Sequence, residues 1–325
     1  VKILTDGPVR PRVALFAPHP LLTVTIELDG EEHQRIDFRA GGQGVRAARM
    51  VAHMGATPVL CGLIGGESGA LLEGLLERSV RPGELRIVPS SAASGCYVTD
   101  RREGKPTQLA MTRSAPPSQH ELDELFSLTC AEAITCGWLI VTNPMPGSSL
   151  PPEIYGDLVA DAKAKGCRTL VDLASPHMES ALRGEPDVAK LNERELAELV
   201  GGPVSEPQEL LAAAGRLRKL GARTAIVTHG AQPALVLGEK APAWLTPPRF
   251  EHGDREGCGD AMMGAMTAVW ALGESFHHAL VMGAAAGAAN FPHHGLGSPS
   301  RDVVEKLVDS VTLEPWETPP LLKAV

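Results

Sequence analysis

The chain has 325 residues, 43% of them hydrophobic and 21% charged, enough to bury a sizeable core and too apolar for wholesale disorder. Its 30 basic and 39 acidic residues leave a formal net charge of −9 with no run of Lys or Arg, which argues against non-specific binding of nucleic acid. Six cysteines without Cys-x-x-Cys spacing exclude a disulfide scaffold or zinc site, and the longest charge-free stretches, Ala261 to Gly273 and Ala279 to Pro292, fall short of a membrane span.

In chain order, Thr23 to Asp29 alternates apolar and polar residues, and Gly95 to Met111 mixes β-branched and polar residues around Glu103-Gly104. Both read as half-exposed antiparallel strands, segments near 23–39 and 92–112 of a small β-sheet that would serve as a lid. Trp138 to Thr142 reads as a buried strand and Pro151 to Gly166 as a helix with Pro early and Gly late. Arg168 to Leu173 is a strand, Asp187 to Leu191 a short strand, Asn192 to Val200 a helix. Glu209 to Leu220 is helical, Thr224 to Thr228 another buried strand, and Ala261 to Leu272 a helix too apolar for the surface. This alternation predicts an α/β fold with a mostly parallel central sheet covered on both faces. One domain is expected over 1–325, with a loose proline-bearing tail over 314–325.

Four places carry candidate chemistry. Ala40-Gly41-Gly42-Gln43-Gly44-Val45-Arg46 runs into a helical pattern with Arg46, Arg49 and His53 on one face. Glycines before a helix let an anion approach backbone N–H groups, and they serve equally as a tight turn without ligand. In Asp254-Arg255-Glu256-Gly257-Cys258-Gly259-Asp260, the N–H groups of Gly257, Cys258 and Gly259 can form an anion hole with Asp260 beside it. Asp260 also suits a bare helix-dipole partner. Asn192 and Glu195 fit an Asn-capped capping box. The strand before His229-Gly230 delivers its loop to the carboxyl edge of the sheet, where α/β folds bind ligands. His277-His278 and His293-His294 read as loop or surface residues, and no Rossmann fingerprint, Walker A or Gly-x-Ser-x-Gly pattern is present.

In this order the four sites resemble the ribokinase-type (PfkB) carbohydrate kinase family, nearest to its 1-phosphofructokinase and tagatose-6-phosphate kinase branch. Gly41-Gly42-x-Gly44 with Ala48-Arg49 is similar to the first signature, Gly-Gly-Lys-Gly-x-Asn-x-Ala. Asp254 with Gly257-x-Gly259-Asp260 is similar to the second, Asp-Thr-x-Gly-Ala-Gly-Asp. Asn192-x-x-Glu195 matches the magnesium-associated Asn-x-x-Glu, and Gly230 the glycine after the nucleotide-binding strand. The resemblance implies a three-layer ribokinase-like fold and ATP-dependent phosphoryl transfer to a sugar or sugar phosphate, with Mg2+.

Asp260 would be the base, with Gly257, Cys258 and Gly259 cradling the phosphoryl group. Asn192, Thr228 and Gly230 would face the nucleotide, with Glu195 at the metal. Gly41, Gly42, Gln43, Arg46, Asp254 and Arg255 would line the acceptor side. Departures concentrate on that side. Ala17 and Leu21 replace an Asn and an Asp, Gln43 the signature Lys, Arg46 its Asn, and Arg255 a Thr. Ser94-Gly95-Cys96-Tyr97 stands where a phosphate-binding Arg is usual, and Gln232-Pro233 where Asp-Gly is usual. Altered specificity is the expectation, the alternative being a degraded member that binds nucleotide or sugar as a sensor. A cytoplasmic location and a homodimer joined through the lid complete the expectations.

Overall fold

The computed structural model describes residues 10–30, 33–104, 106–292 and 298–316. Strand β1 (Arg12–Phe16) precedes an antiparallel pair, β2 (Leu21–Asp29) and β3 (His33–Gly41). Helix α1 (Gln43–His53), β4 (Thr57–Ile64), α2 (Gly66–Ser79) and β5 (Glu84–Pro89) follow. A second antiparallel pair, β6 (Cys96–Asp100) and β7 (Thr107–Thr112), leads to α3 (Gln119–Cys136). Then come β8 (Trp138–Thr142), α4 (Glu153–Ala164), β9 (Arg168–Asp172), α5 (His177–Arg183) and β10 (Val188–Asn192). Next are α6 (Glu193–Val200), α7 (Pro207–Lys219), β11 (Thr224–His229), β12 (Gln232–Leu237) and β13 (Ala243–Thr246). The last elements are α8 (Cys258–Ala271), α9 (Phe276–Asn290), α10 (Arg301–Leu307) and β14 (Thr312–Pro315).

Ten strands form one sheet in the order β14-β13-β12-β11-β10-β9-β8-β1-β4-β5. Every pairing from β11 to β5 is parallel, while β12, β13 and β14 add an antiparallel edge. Helices on both faces explain why the strands read as continuous apolar runs. In β1, Val13 and Leu15 enter the core beneath α1, α2, α8 and α9, whereas Ala14 and Phe16 enter the core beneath α3 to α7. Helix α8 lies so close to α1 that a Cβ on Gly264 would fall 2.4 Å from the Ala47 carbonyl oxygen. That proximity brings α1 side chains to the start of α8.

The smaller sheet has the order β3-β2-β6-β7. Thr23, Thr25 and Thr99 are buried on its body side, while Leu28, Ile36, Phe38 and Leu109 stay exposed. Strand β6 runs parallel to β2, which corrects the expectation of a wholly antiparallel lid. The long crossover through α1, β4, α2 and β5 returns the chain to the lid in the direction of β2, opposite to that of β3 by which it left. The expected loose tail is also corrected at its start. Glu314 and Pro315 pair with Trp244 and Ala243, and Trp316 stacks on Trp244 at 4.4 Å between centroids. An edge strand tolerates a proline whose missing N–H would face outward.

Residues 317–325 of that tail, and His293-His294, lie outside the described residues. His277 and His278 stand in the first turn of α9, and Arg49, expected on a polar face, is buried. It donates to the Ala40 carbonyl and to Ser79 Oγ. No helix among the described residues is long and apolar enough to cross a membrane.

Candidate functional site

The parallel strands all end at one edge of the large sheet, and α8 starts across from them. Between lies a cleft of about 670 Å³. Its floor is an ion pair that β9 and β10 set in register: Lys190 stands opposite Asp172 and donates Nζ to Oδ2 at 2.7 Å. Both residues are buried. Burial pushes the Asp172 carboxyl up to about 6 against the pull of Lys190. Burial also acts to lower Lys190, and the carboxylate more than offsets it, so the ammonium titrates above its ordinary value. A Cβ on Gly259 would lie 2.8 Å from Lys190 Nζ, so glycine is what lets α8 begin directly over this pair.

Gly257, with φ +81°, turns the chain into α8 as its N-cap. The Cys258 N–H bends back to the Arg255 carbonyl at 3.3 Å. The N–H groups of Gly257, Gly259 and Asp260 find no acceptor among the described residues, and they point the positive end of α8 at the cleft. Asp260, 5% exposed, accepts on Oδ2 from Arg46 Nε at 2.5 Å, while Arg46 Nη1 reaches Glu256 Oε1 at 3.0 Å. Burial alone would lower the Arg46 guanidinium, and the two carboxylates hold it above its ordinary value. Asn290 of α9 donates to the Glu256 carbonyl at 3.1 Å, fixing the loop from behind. The Cys258 thiol is pushed up to about 11 by burial and stays protonated, so it fills space instead of acting as a nucleophile.

On the opposite wall, Asn192 Oδ1 accepts from the Glu195 N–H and Glu195 Oε2 from the Asn192 N–H, each at 2.9 Å. The capping box therefore forms, and Glu195 Oε1 lies outside it. Thr228 donates to the Leu191 carbonyl at 3.5 Å, and Gly230 leaves β11 with φ +54°. Asp172 in the floor and Asn192 and Glu195 on this wall all line the cleft. Such hard donors fit Mg2+, which takes one or two carboxylates and completes its shell with water and phosphate oxygens.

Eleven expected residues line the one cleft: Gln43, Arg46, Asn192, Glu195, Thr228, Gly230, Arg255, Gly257, Cys258, Gly259 and Asp260. Gln43 is partly committed to structure, accepting from the Asn143 N–H at 3.0 Å. Gly41 and Gly42 sit where β3 turns into α1 and do not line the cleft, and neither does Asp254. Asp254 instead accepts from Arg101 at 2.8 Å. Burial acts to raise its carboxyl, and the Glu256 N–H with Arg101 brings it below the ordinary value. Arg255, expected on the acceptor side, lies against Gly230, 3.7 Å from where a Cβ there would stand. Asp172, Lys190 and Asn290 were missed. Charges at or near the ends of two buried strands were the available signal for the first two.

A family model described as pfkB family carbohydrate kinase matches residues 22–302. The ATP-dependent 6-phosphofructokinase isozyme 2 of Escherichia coli is 28% identical over 276 residues, covering 83% of this chain and 87% of that protein. The 1-phosphofructokinase of Rhodobacter capsulatus is 27% identical over 242 residues, 74% of this chain and 75% of its own. Among solved structures, phosphofructokinase-2 from Escherichia coli in complex with potassium superposes with a TM-score of 0.81 at 24% identity, covering 92% and 99% of the two chains. Arabidopsis thaliana ribokinase complexed with ribose and ATP gives 0.72 at 19% identity, again over 92% and 99%. The architecture is thus ribokinase-like.

Proposed function

This chain belongs to the pfkB family of carbohydrate kinases, and from that premise we propose that it transfers the γ-phosphoryl group of ATP to a hydroxyl of a sugar or sugar phosphate. The observation that carries the reading is Asp260, a buried carboxylate in the first turn of α8, beside N–H groups that have no acceptor among the described residues and over the Asp172–Lys190 pair. Phosphoryl transfer asks a protein mainly for positioning and for charge stabilisation. Asp260 takes the proton of the attacking hydroxyl, and Arg46 holds that carboxylate by one oxygen. The N–H groups of Gly257 and Gly259, with the positive end of α8, receive charge on the γ-phosphoryl oxygens. Thr228 and Gly230 border the nucleotide, and Glu195 with Asn192 and Asp172 would hold Mg2+. When bound, the ion neutralises phosphate charge.

Acceptor specificity differs from the family's usual phosphosugar sites on this reading. A neutral Gln43 stands in place of a lysine, and Ser94 is consumed by the fold, accepting from the Gly65 N–H at 3.2 Å. The exposed apolar side chains of the small sheet support a homodimer closed through the lid.

The test is ADP release with ATP and Mg2+ over a panel of sugars, sugar phosphates and nucleosides. Turnover is expected on at least one compound, and Asp260→Asn is expected to lower kcat by about 10²- to 10⁴-fold. No turnover by the native chain, with nucleotide still raising its melting temperature, would replace a kinase with a nucleotide-binding protein.

A further inference from the structure

The loop that opens α8 carries three charges in succession, and the fold sends them in different directions. Asp254 is taken by Arg101 of the lid at 2.8 Å, and Glu256 by Arg46 of α1 at 3.0 Å. Arg255, between two carboxylates in sequence, pairs with neither. Among the described residues its guanidinium has no ion pair or hydrogen bond. It extends into the cleft until it lies 3.7 Å from the position of a Cβ on Gly230. The acid on that wall, Glu193, faces His229 Nδ1 at 2.5 Å. A chain of net charge −9 thus keeps a cation without ion pair or hydrogen bond among the described residues between the turn after β11 and the N–H groups of α8, its charge acting on Glu193 only at longer range.

We propose that Arg255 receives the charge that builds on the leaving β-phosphate of the nucleotide donor. The inference rests on the kinase reading above and assigns this arginine to the donor, not to the sugar. In the transfer the hydroxyl oxygen bonds to the γ-phosphorus, and the bond from that phosphorus to the β–γ bridging oxygen breaks. The electron pair of the broken bond stays with the diphosphate, and the hydroxyl proton goes to Asp260. One unit of negative charge therefore moves toward the Gly230 side of the cleft, where Arg255 stands. A planar guanidinium meets two phosphate oxygens by parallel N–H bonds, which an ammonium does not. The loop that carries the base and the anion hole then supplies the leaving-group cation as well. A nucleotide without a β-phosphate has nothing for Arg255 to hold.

Calorimetric binding of ADP and of AMP, each with Mg2+, to the native chain, Arg255→Ala and Arg255→Lys tests this directly. Arg255 is exposed, so the variants should keep the native melting temperature. Arg255→Ala is expected to weaken ADP about tenfold or more and to leave AMP unchanged, with Arg255→Lys in between. With any acceptor that turns over, kcat should fall in Arg255→Ala and recover in part when free guanidinium is added. Equal weakening of ADP and AMP, no weakening of either, or an unchanged kcat overturns the proposal. A native chain that binds neither nucleotide overturns the kinase reading and this proposal together. One that binds ADP yet turns over no sugar still leaves the ADP-to-AMP comparison to decide the role of Arg255.

Discussion

Arg46 and Asp260 form a link between α1 and α8 in which each charge depends on the other, because both side chains are largely withdrawn from water. Removing one partner strands the other. Arg46→Asn is expected to cost about 3 kcal/mol in urea denaturation, and the double variant with Asp260→Asn less than the sum of the singles. Strict additivity would sink the idea of an obligate pair. His19 gives a pH signature. Burial holds its imidazole down to about 4, and Nδ1 is buried without a hydrogen-bond partner among the described residues. Below about pH 6.5 the unfolded chain takes a proton that the folded one refuses, so this residue lowers stability as pH falls toward 4, by up to about 3 kcal/mol. Asp172, held up near 6, acts in the opposite sense, gaining stability as pH falls below its folded value. The difference between the native chain and His19→Asn isolates the histidine, and the gap should close with acid; a constant gap from pH 7 to 4.5 would refute it. At this scale the glycines and acid of Gly257 to Asp260 were legible because their pattern is local. Asp172 and Lys190 were not, since they meet only through the parallel register of β9 and β10.

The capping box at the start of α6 was readable as three residues' spacing, and it formed as read. Helices α7 and α8 begin two and three residues ahead of their sequence-based starts, where Pro207 and the turn at Gly257 set the first turn. The lid was recognisable as strands by alternation, yet its β2–β6 pairing was hidden, because direction depends on the intervening crossover and not on either segment. Just past β6, Arg101 ties the connection to Asp254 of the body, with both side chains mostly shielded. Arg101→Ala should therefore loosen this half of the lid. Amide exchange in β6 and β7 is expected to quicken about tenfold, with β8 to β10 unchanged. Equal exchange in both proteins would mean that the tie does not hold the lid.

Across the whole molecule, two separate cores flank one sheet, so the strand–helix alternation was enough to reveal the layers while the antiparallel edge escaped notice. Ile36 and Phe38 sit opposite Ile26 and Val24, placing an apolar stripe on the outward face of the small sheet. Charges there should separate a dimer: Ile36→Lys with Phe38→Lys is expected to halve the mass seen by light scattering, and a native chain already monomeric at micromolar concentration would remove the proposal. At the other extreme of the molecule, β14 covers the backbone of β13, and Trp316 lies over Trp244. A chain cut before Thr312 would present Ala243 to Thr246 as an open ladder with a bare indole beside it, a template for self-association. Proteolytic trimming at that end would therefore show first as precipitation, and an affinity tag is better carried at the other terminus.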